Sequence, residues 1–171
     1  MSRISKIDLN EASDEVRQAV ACHLAQGYRI TNEKLTLLHN VTAFHALEVQ
    51  SYAVDRVLAR MIGKRAADLF EYAISVENDC LVCSTYFARL LRQYGIDDPG
   101  AAALTEQEKL LMRFGRAIAV NPKGVDDCLF SALRDSFTEE EIVVITTMGV
   151  LIMANNAFND ILRVEPEPMD E

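Results

Sequence analysis

The chain has 171 residues, half of them apolar, a quarter charged and only seven glycine, which is the composition of a globular protein with one domain's worth of core. A net charge of -9 and the lack of any Lys/Arg run interleaved with aromatics exclude a nucleic-acid partner. Four cysteines are too few for a disulfide scaffold, and the start "MSRISKIDLNEASDEV" is polar and acidic with no signal-peptide core. A cytoplasmic, reducing setting is expected, in which any cysteine chemistry is local.

In chain order the patterns are helical rather than alternating. After a lead over residues 1–9, the first helix is predicted from about Asn10 to Gln26, with Val16, Val20 and Leu24 on one face, Asn10 or Ser13 as cap and Gly27 as its end. "NEKLTLLHN" and "AFHALEVQSYAVDRVLARMIG" predict two more, the second closing at Gly63, and "KRAADLFEYAISVEN" a fourth. "CLVCSTYFARLLRQYG" predicts a fifth that stops at Gly95, before the loop "IDDPGAAA". Two further starts carry capping boxes, Thr105 with Glu108 and Thr138 with Glu141, and "NPKG" at residues 121–124 separates them. The run "IVVITTMGVLIMA", Ile142 to Ala154, falls short of the roughly 20 residues needed to span a bilayer and reads as a buried helix, so no membrane is expected. The Pro- and acid-rich residues 165–171 cannot continue a helix and read as a loose end. The expected fold class is all-α, a single-domain bundle of about seven or eight helices over residues 10–164. No strand alternation, nucleotide-binding glycine pattern or short repeat competes with it.

The stretch "NDCLVCSTYF" carries the chemistry. Cys80 and Cys83 stand at i, i+3 on a helix start, where Asn78 or Asp79 is expected as the cap and the unpaired N–H groups favour a thiolate. Glu77 and Asp79 oppose that charge, so the sequence leaves the net shift unsigned. Three readings compete: a redox pair, half of a metal site, or two small core residues. A zinc site lacks further ligands at suitable spacing, since Cys22 and Cys128 are isolated and the three histidines form no pair, so no metal and no cofactor are expected. A thioredoxin arrangement lacks its preceding strand. The amides Asn155, Asn156 and Asn159 inside an apolar helix need partners if buried, and read as packing groups rather than ligands.

The segment "RAADLFEYAISVENDCLVC", with "NEKLTLLHNVTAFHALEVQSY" before it and "LTEQEKLLMRFGRAI" and "FTEEEIVVITTMGVLIMANNAFNDILRV" after it, resembles the carboxymuconolactone decarboxylase and alkylhydroperoxidase D-like family, in particular its peroxidase-related branch. The resemblance implies an alkylhydroperoxidase D-like helical domain and a C-x-x-C pair that reduces hydroperoxides or disulfides in antioxidant defence. It implies that Cys83 attacks the peroxide, that Cys80 resolves the product and meets a lipoyl or other thiol reductant protein, and that Asp68 takes the place of the family's catalytic acid, with Glu71 one turn on as a substitute. It also implies a homo-oligomer, a trimer or hexamer. The departure is Phe87, which stands where the redox members carry a proton-shuttling histidine. Tyr86 is a poor base, and His23, His39 and His45 are the remaining imidazoles. Two other functions stay open: a non-enzymatic redox sensor or oligomeric scaffold, which the missing histidine favours, and a lactone decarboxylase, which would not need the cysteine pair.

Overall fold

The computed structural model describes residues 1–168, and every element in it is helical. In chain order these are α1 (Asp14–Ala25), α2 (Asn32–Leu37), α3 (Val41–Phe44), a π-helical turn (His45–Val49), α4 (Gln50–Ile62), α5 (Lys64–Glu77), α6 (Leu81–Arg92), α7 (Glu106–Val120), a 3-10 turn (Pro122–Gly124), α8 (Asp127–Ser136) and α9 (Glu139–Leu162). Because α3, the π turn and α4 run on without a break, the described residues form eight helical rods, as the periodicity predicts.

Most boundaries follow from local chemistry. Ser13 caps α1, and both capping boxes form, so the first-turn donors of α7 and α9 are satisfied within four residues of sequence. Gly27, Gly63 and Gly95 each take the positive φ that ends a helix or its following turn. One expected face shifts: α1 buries Val16, Ala19 and His23, while Leu24 is half exposed, because the helix leans on the ring of Phe44 through the i, i+3, i+7 row.

Helix α5 is the axis of the domain. It buries residues on almost every side, packing against α4, α6, α7 and α9. The main core joins Phe70 and Ile74 of α5 to Leu111, Phe114 and Ile118 of α7 and to Ile145, Met148 and Ile152 of α9. Gly115 permits the α5–α7 approach, since a Cβ there would stand 3.0 Å from the backbone oxygen of Phe70. A smaller cluster holds α1 to α2 and α3 through Val16, Leu38 and Phe44.

Helix α9 extends the predicted apolar run at both ends to 24 residues, and is the one helix among the described residues long and apolar enough to cross a membrane. It is a core helix instead: Ile142, Ile145, Met148, Ile152, Asn156 and Asn159 line its buried face. Residues on both chain ends are tied down. Arg3 N–H donates to Leu162 O at 2.9 Å, and Ile7 N–H to Leu35 O at 3.0 Å. Residues 165–168, expected to be loose, lie across α2 and α6: Asn32 donates its side-chain amide to Glu165 O at 3.0 Å, and Arg89 donates to Pro168 O at 3.3 Å. Residues 169–171 of the expected acidic tail lie outside the described residues.

Candidate active site

The turn between α5 and α6 sets the dithiol. Cys80 N–H donates to Ser75 O and Asp79 N–H to Val76 O, both at 3.0 Å, a Schellman ending of α5 with Asp79 in the left-handed region at φ 56°. Asn78 thus caps the end of α5 and Asp79 reverses the chain, so neither caps α6 as the sequence suggests; Cys80 itself is the N-cap. The spacing C-x-x-C therefore places the two cysteines at N-cap and N3, the two positions that reach for each other's backbone in a capping box.

Both cysteines are free thiols, and each acts directly on the ionisation of the other. The Cys83 thiol lowers the Cys80 pKa, and the amides of Val82 and Cys83 at the helix start add to that effect. Cys83 is pushed up by the same partner, by burial and by the charge of Glu33. The charges that oppose ionisation come from Asp160 and Glu33, remote in sequence, and not from the flanking Glu77 and Asp79. Access runs the other way from charge. Cys80 is 0% exposed, whereas Cys83 is 7% exposed and lines a cleft. Asn159, buried on α9, donates its amide to Cys83 Sγ at 3.3 Å.

That cleft, about 90 Å³ reachable by the centre of a water molecule, has room for several waters or a small organic molecule. Tyr52, Tyr86 and Phe87 supply flat apolar walls. One end is formed by Glu33 and Lys34 of α2 with Glu48 of the π turn. The Lys34–Glu48 pair spans 3.3 Å with each side chain only 5% exposed. A π turn carries one extra residue per turn and rotates the side chains that follow, which here brings Glu48 inward beside Ser51 and Tyr52. Glu33 is pushed up to about 8, chiefly by burial and by the Glu48 charge, with Lys34 and the Asn159 amide opposing. The other end carries Asp55, Lys64 and Glu71. Burial and the neighbouring Asp55 hold Glu71 well above the ordinary carboxyl range.

Asp68 sits behind that second cluster. It accepts from Lys64 Nζ at 2.5 Å and from Tyr94 OH at 3.0 Å, is 1% exposed, and does not line the cleft, whereas Glu71 does. None of the histidines lines the cleft either. His23 is buried among Tyr28, Phe44 and Tyr52; His39 is exposed and bonded to Ser5 O; His45 is exposed. Phe87 packs into the main core with one face on the cleft. Cys22 and Cys128 are exposed and stand apart, and no cluster of His, Cys, Asp and Glu suited to a metal ion occurs among the described residues.

Sequence reasoning passed over Glu33, Lys34 and Glu48, because "NEK" reads as an ordinary first helical turn and nothing local marks a π turn. Asn159 did carry a signal: an amide inside an apolar helix must find a partner, and the partner is Cys83 rather than a neighbouring backbone.

No family model and no curated protein matches the sequence. Solved structures do match its fold. A peroxidase-related protein from Silicibacter sp. TM1040 superposes with a TM-score of 0.77 at 16% identity over 97% of this chain and 92% of its own. A peroxidase-related protein from Ralstonia eutropha JMP134, described as an alkylhydroperoxidase AhpD core, gives 0.76 at 22% identity over 97% and 92%. The debrominase Bmp8, in a cysteine-to-alanine form holding 2,3,4-tribromopyrrole, gives 0.76 at 14% identity over 99% and 94%. The chain has the alkylhydroperoxidase D-like fold that the resemblance implies.

Proposed function

On this fold, we propose that the chain is a dithiol oxidoreductase whose Cys80–Cys83 pair is oxidised to a disulfide as it reduces a hydroperoxide or a disulfide. One observation carries the reading: the two cysteines stand at N-cap and N3 of α6, each acting on the other's ionisation, and one of them opens on a cleft. With a hydroperoxide, Cys83 attacks the terminal oxygen, the O–O bond breaks, and the alkoxide leaves as an alcohol. The Cys80 sulfur then attacks the Cys83 sulfenic acid, forming the S–S bond and releasing water. The Asn159 amide steadies negative charge on Cys83. A dithiol of the lipoyl type returns the two electrons, and with Cys80 sealed it meets the disulfide at Cys83.

Peptide mass mapping after one equivalent of alkyl hydroperoxide tests this. The expected product is an intramolecular Cys80–Cys83 disulfide that dihydrolipoamide reduces with continued peroxide consumption. A disulfide that forms once and does not turn over would make the protein a redox sensor. A link through Cys22 or Cys128 would remove the dithiol from the chemistry.

The flat walls formed by Tyr52, Tyr86 and Phe87 favour a second oxidant for the same pair. With a brominated heteroaromatic such as the one Bmp8 holds, the C–Br bond breaks, bromide leaves, the ring carbon takes a proton and the same disulfide forms. Bromide release would distinguish it.

We also infer a homo-oligomer. Val143, Val150 and Ile161 of α9 are each more than half exposed and follow one stripe of the helix surface. Light scattering is expected to give a trimer or hexamer that Val150→Asp dissociates; a native monomer at micromolar concentration would overturn the inference.

A further inference from the structure

We propose that Glu33 is a catalytic residue of the dithiol: the general acid that gives its proton to the alkoxide released when Cys83 opens an O–O bond. The substrates are then hydroperoxides whose leaving group is an alkoxide. This rests on the dithiol reading above.

Place and hydrogen bonding point to it. Glu33 and Cys83 share the wall of the cleft, and the Glu33 charge acts directly on the Cys83 thiol. Glu33 Oε1 is buried with no hydrogen-bond partner, and so is Oδ1 of Asn159, the residue whose amide nitrogen bonds Cys83. The Glu33 carboxyl and the Asn159 amide also interact with each other. A buried carboxyl oxygen without a donor is disfavoured as a carboxylate, and the protonated group carries a hydrogen of its own. Asn159 acts on both Cys83 and Glu33.

The surroundings keep that proton in place. Glu33 is faced by Lys34 on its own helix, Glu48 of the π turn, Tyr52 of α4, Cys80 and Cys83 of α6 and Asn159 of α9, with Glu167 at the cleft wall. Lys34 is taken by Glu48 at 3.3 Å, which leaves Glu33 no cation of its own. Its titration near pH 8 makes it an acid at neutral pH and matches the range in which general acids work best. Glu71 is also raised well above the ordinary carboxyl range, but the charges acting on it are Asp55, Lys64 and Asp68, and it is not among the groups that act on Cys83. No imidazole is available, since Phe87 occupies the wall and no histidine reaches it.

The reacting form has lost the Cys80 proton, which the lowered pKa of that thiol favours, while Cys83 and Glu33 keep theirs. Cys83 attacks the terminal oxygen as its proton passes to Cys80; the O–O bond breaks, and the alkoxide takes the Glu33 proton to leave as alcohol. Cys80 then attacks the sulfenic sulfur, and the expelled hydroxide takes the Cys80 proton to become water. Glu33 ends as the carboxylate and recovers its proton from solvent.

The test compares three reagents on Glu33→Gln and on the native protein. With tert-butyl hydroperoxide at pH 7 the variant is expected to lose about 10²-fold in the rate of disulfide formation. With peracetic acid, which releases acetate, read as disulfide formation, and with iodoacetamide, which releases iodide, read as alkylation of Cys83, neither leaving group needs a proton, and the loss is expected to stay within about threefold. The native rate with tert-butyl hydroperoxide should also fall as pH rises through about 8, a limb that Glu33→Gln lacks and Glu33→Asp keeps. Equal losses with all three reagents would assign Glu33 a structural role and overturn the proposal, as would a native profile with no descending limb, which needs no variant to fold. Native protein that forms no Cys80–Cys83 disulfide with any peroxide would fell the dithiol reading itself, and the proposal with it.

Discussion

The two ends of the cleft are built alike and do different work. At the α5 end, Lys64 is held between Asp68 at 2.5 Å and Asp55 at 3.3 Å, and Glu71 is left over. At the α2 end, Lys34 is held by Glu48 at 3.3 Å, and Glu33 is left over. Each cluster contains one carboxyl group more than its cation can hold, and burial keeps the surplus group protonated. Of the two surplus carboxyl groups, Glu33 is the one that acts on Cys83. The position that family resemblance marks as the acid, Asp68, is held by Lys64 and Tyr94 and does not line the cleft, while the carboxyl group that acts on Cys83 belongs to a residue that no motif marks. A carboxyl group becomes an acid at neutral pH through burial and a like charge beside it. Those conditions arise wherever the fold brings two acids to one lysine.

The largest effect that would sharpen this contrast is at the sulfur. Cys83→Ser is expected to abolish peroxide consumption. Cys80→Ser, which leaves the accessible sulfur in place, should give a single turnover ending in a Cys83 sulfenic acid that overoxidises, visible by mass. Consumption that survives Cys83→Ser would move the chemistry away from the cleft altogether.

Next is Phe87→His. With Asp68 engaged by Lys64 and Tyr94 and outside the cleft, an imidazole at this position would have to be oriented by a carboxyl group of the cleft wall such as Glu71. A gain of about tenfold or less is expected in the native background, below the full range of acid-base catalysis, and a larger one in Glu33→Gln, where the proton donor is missing. Equal gains in the two backgrounds would break the distinction between the ends.

Asp68→Asn tests the end away from sulfur. Turnover should stay within about threefold, while stability falls on the order of 1–3 kcal/mol because Lys64 loses its counter-charge and one of Lys64 and Tyr94 loses its acceptor oxygen. A loss of turnover beyond tenfold would return Asp68 to the relay that the resemblance implies.

The smallest effect is a matter of pH. The Glu71 pKa is raised in the fold, so the native state holds a proton that the unfolded chain releases near its ordinary value of about 4.3. The stability linked to that proton is fully present below the ordinary value and drains as pH rises through the interval up to the folded pKa. Glu71→Gln removes the linkage. Its stabilisation, read from urea midpoints, should be near zero at acid pH and grow by at most about 1.4 kcal/mol per pH unit above it. A difference that does not change with pH would mean that Glu71 is ionised in the fold and that the two clusters are not alike.

Sequence by itself determined the parts of this protein that close over a few residues. The helix ends at Ser13, Thr105 and Thr138 are satisfied by groups within four positions, so they could be read directly. The Cys80–Cys83 pair is local in the same sense, and its spacing alone brings the sulfurs together. Even here the register of α6 moved by one or two residues, because Asn78 and Asp79 went to ending α5, a competition that composition does not decide. Only the tertiary structure decided what the pair faces. Glu33, Glu48, Cys83 and Asn159 lie on four different elements, and periodicity says which face of a helix is apolar without saying which buried polar group will meet which. Proton affinity at this site is set by burial and by charges brought together across the chain, and those distances exist only once α2, the π turn, α6 and α9 have packed.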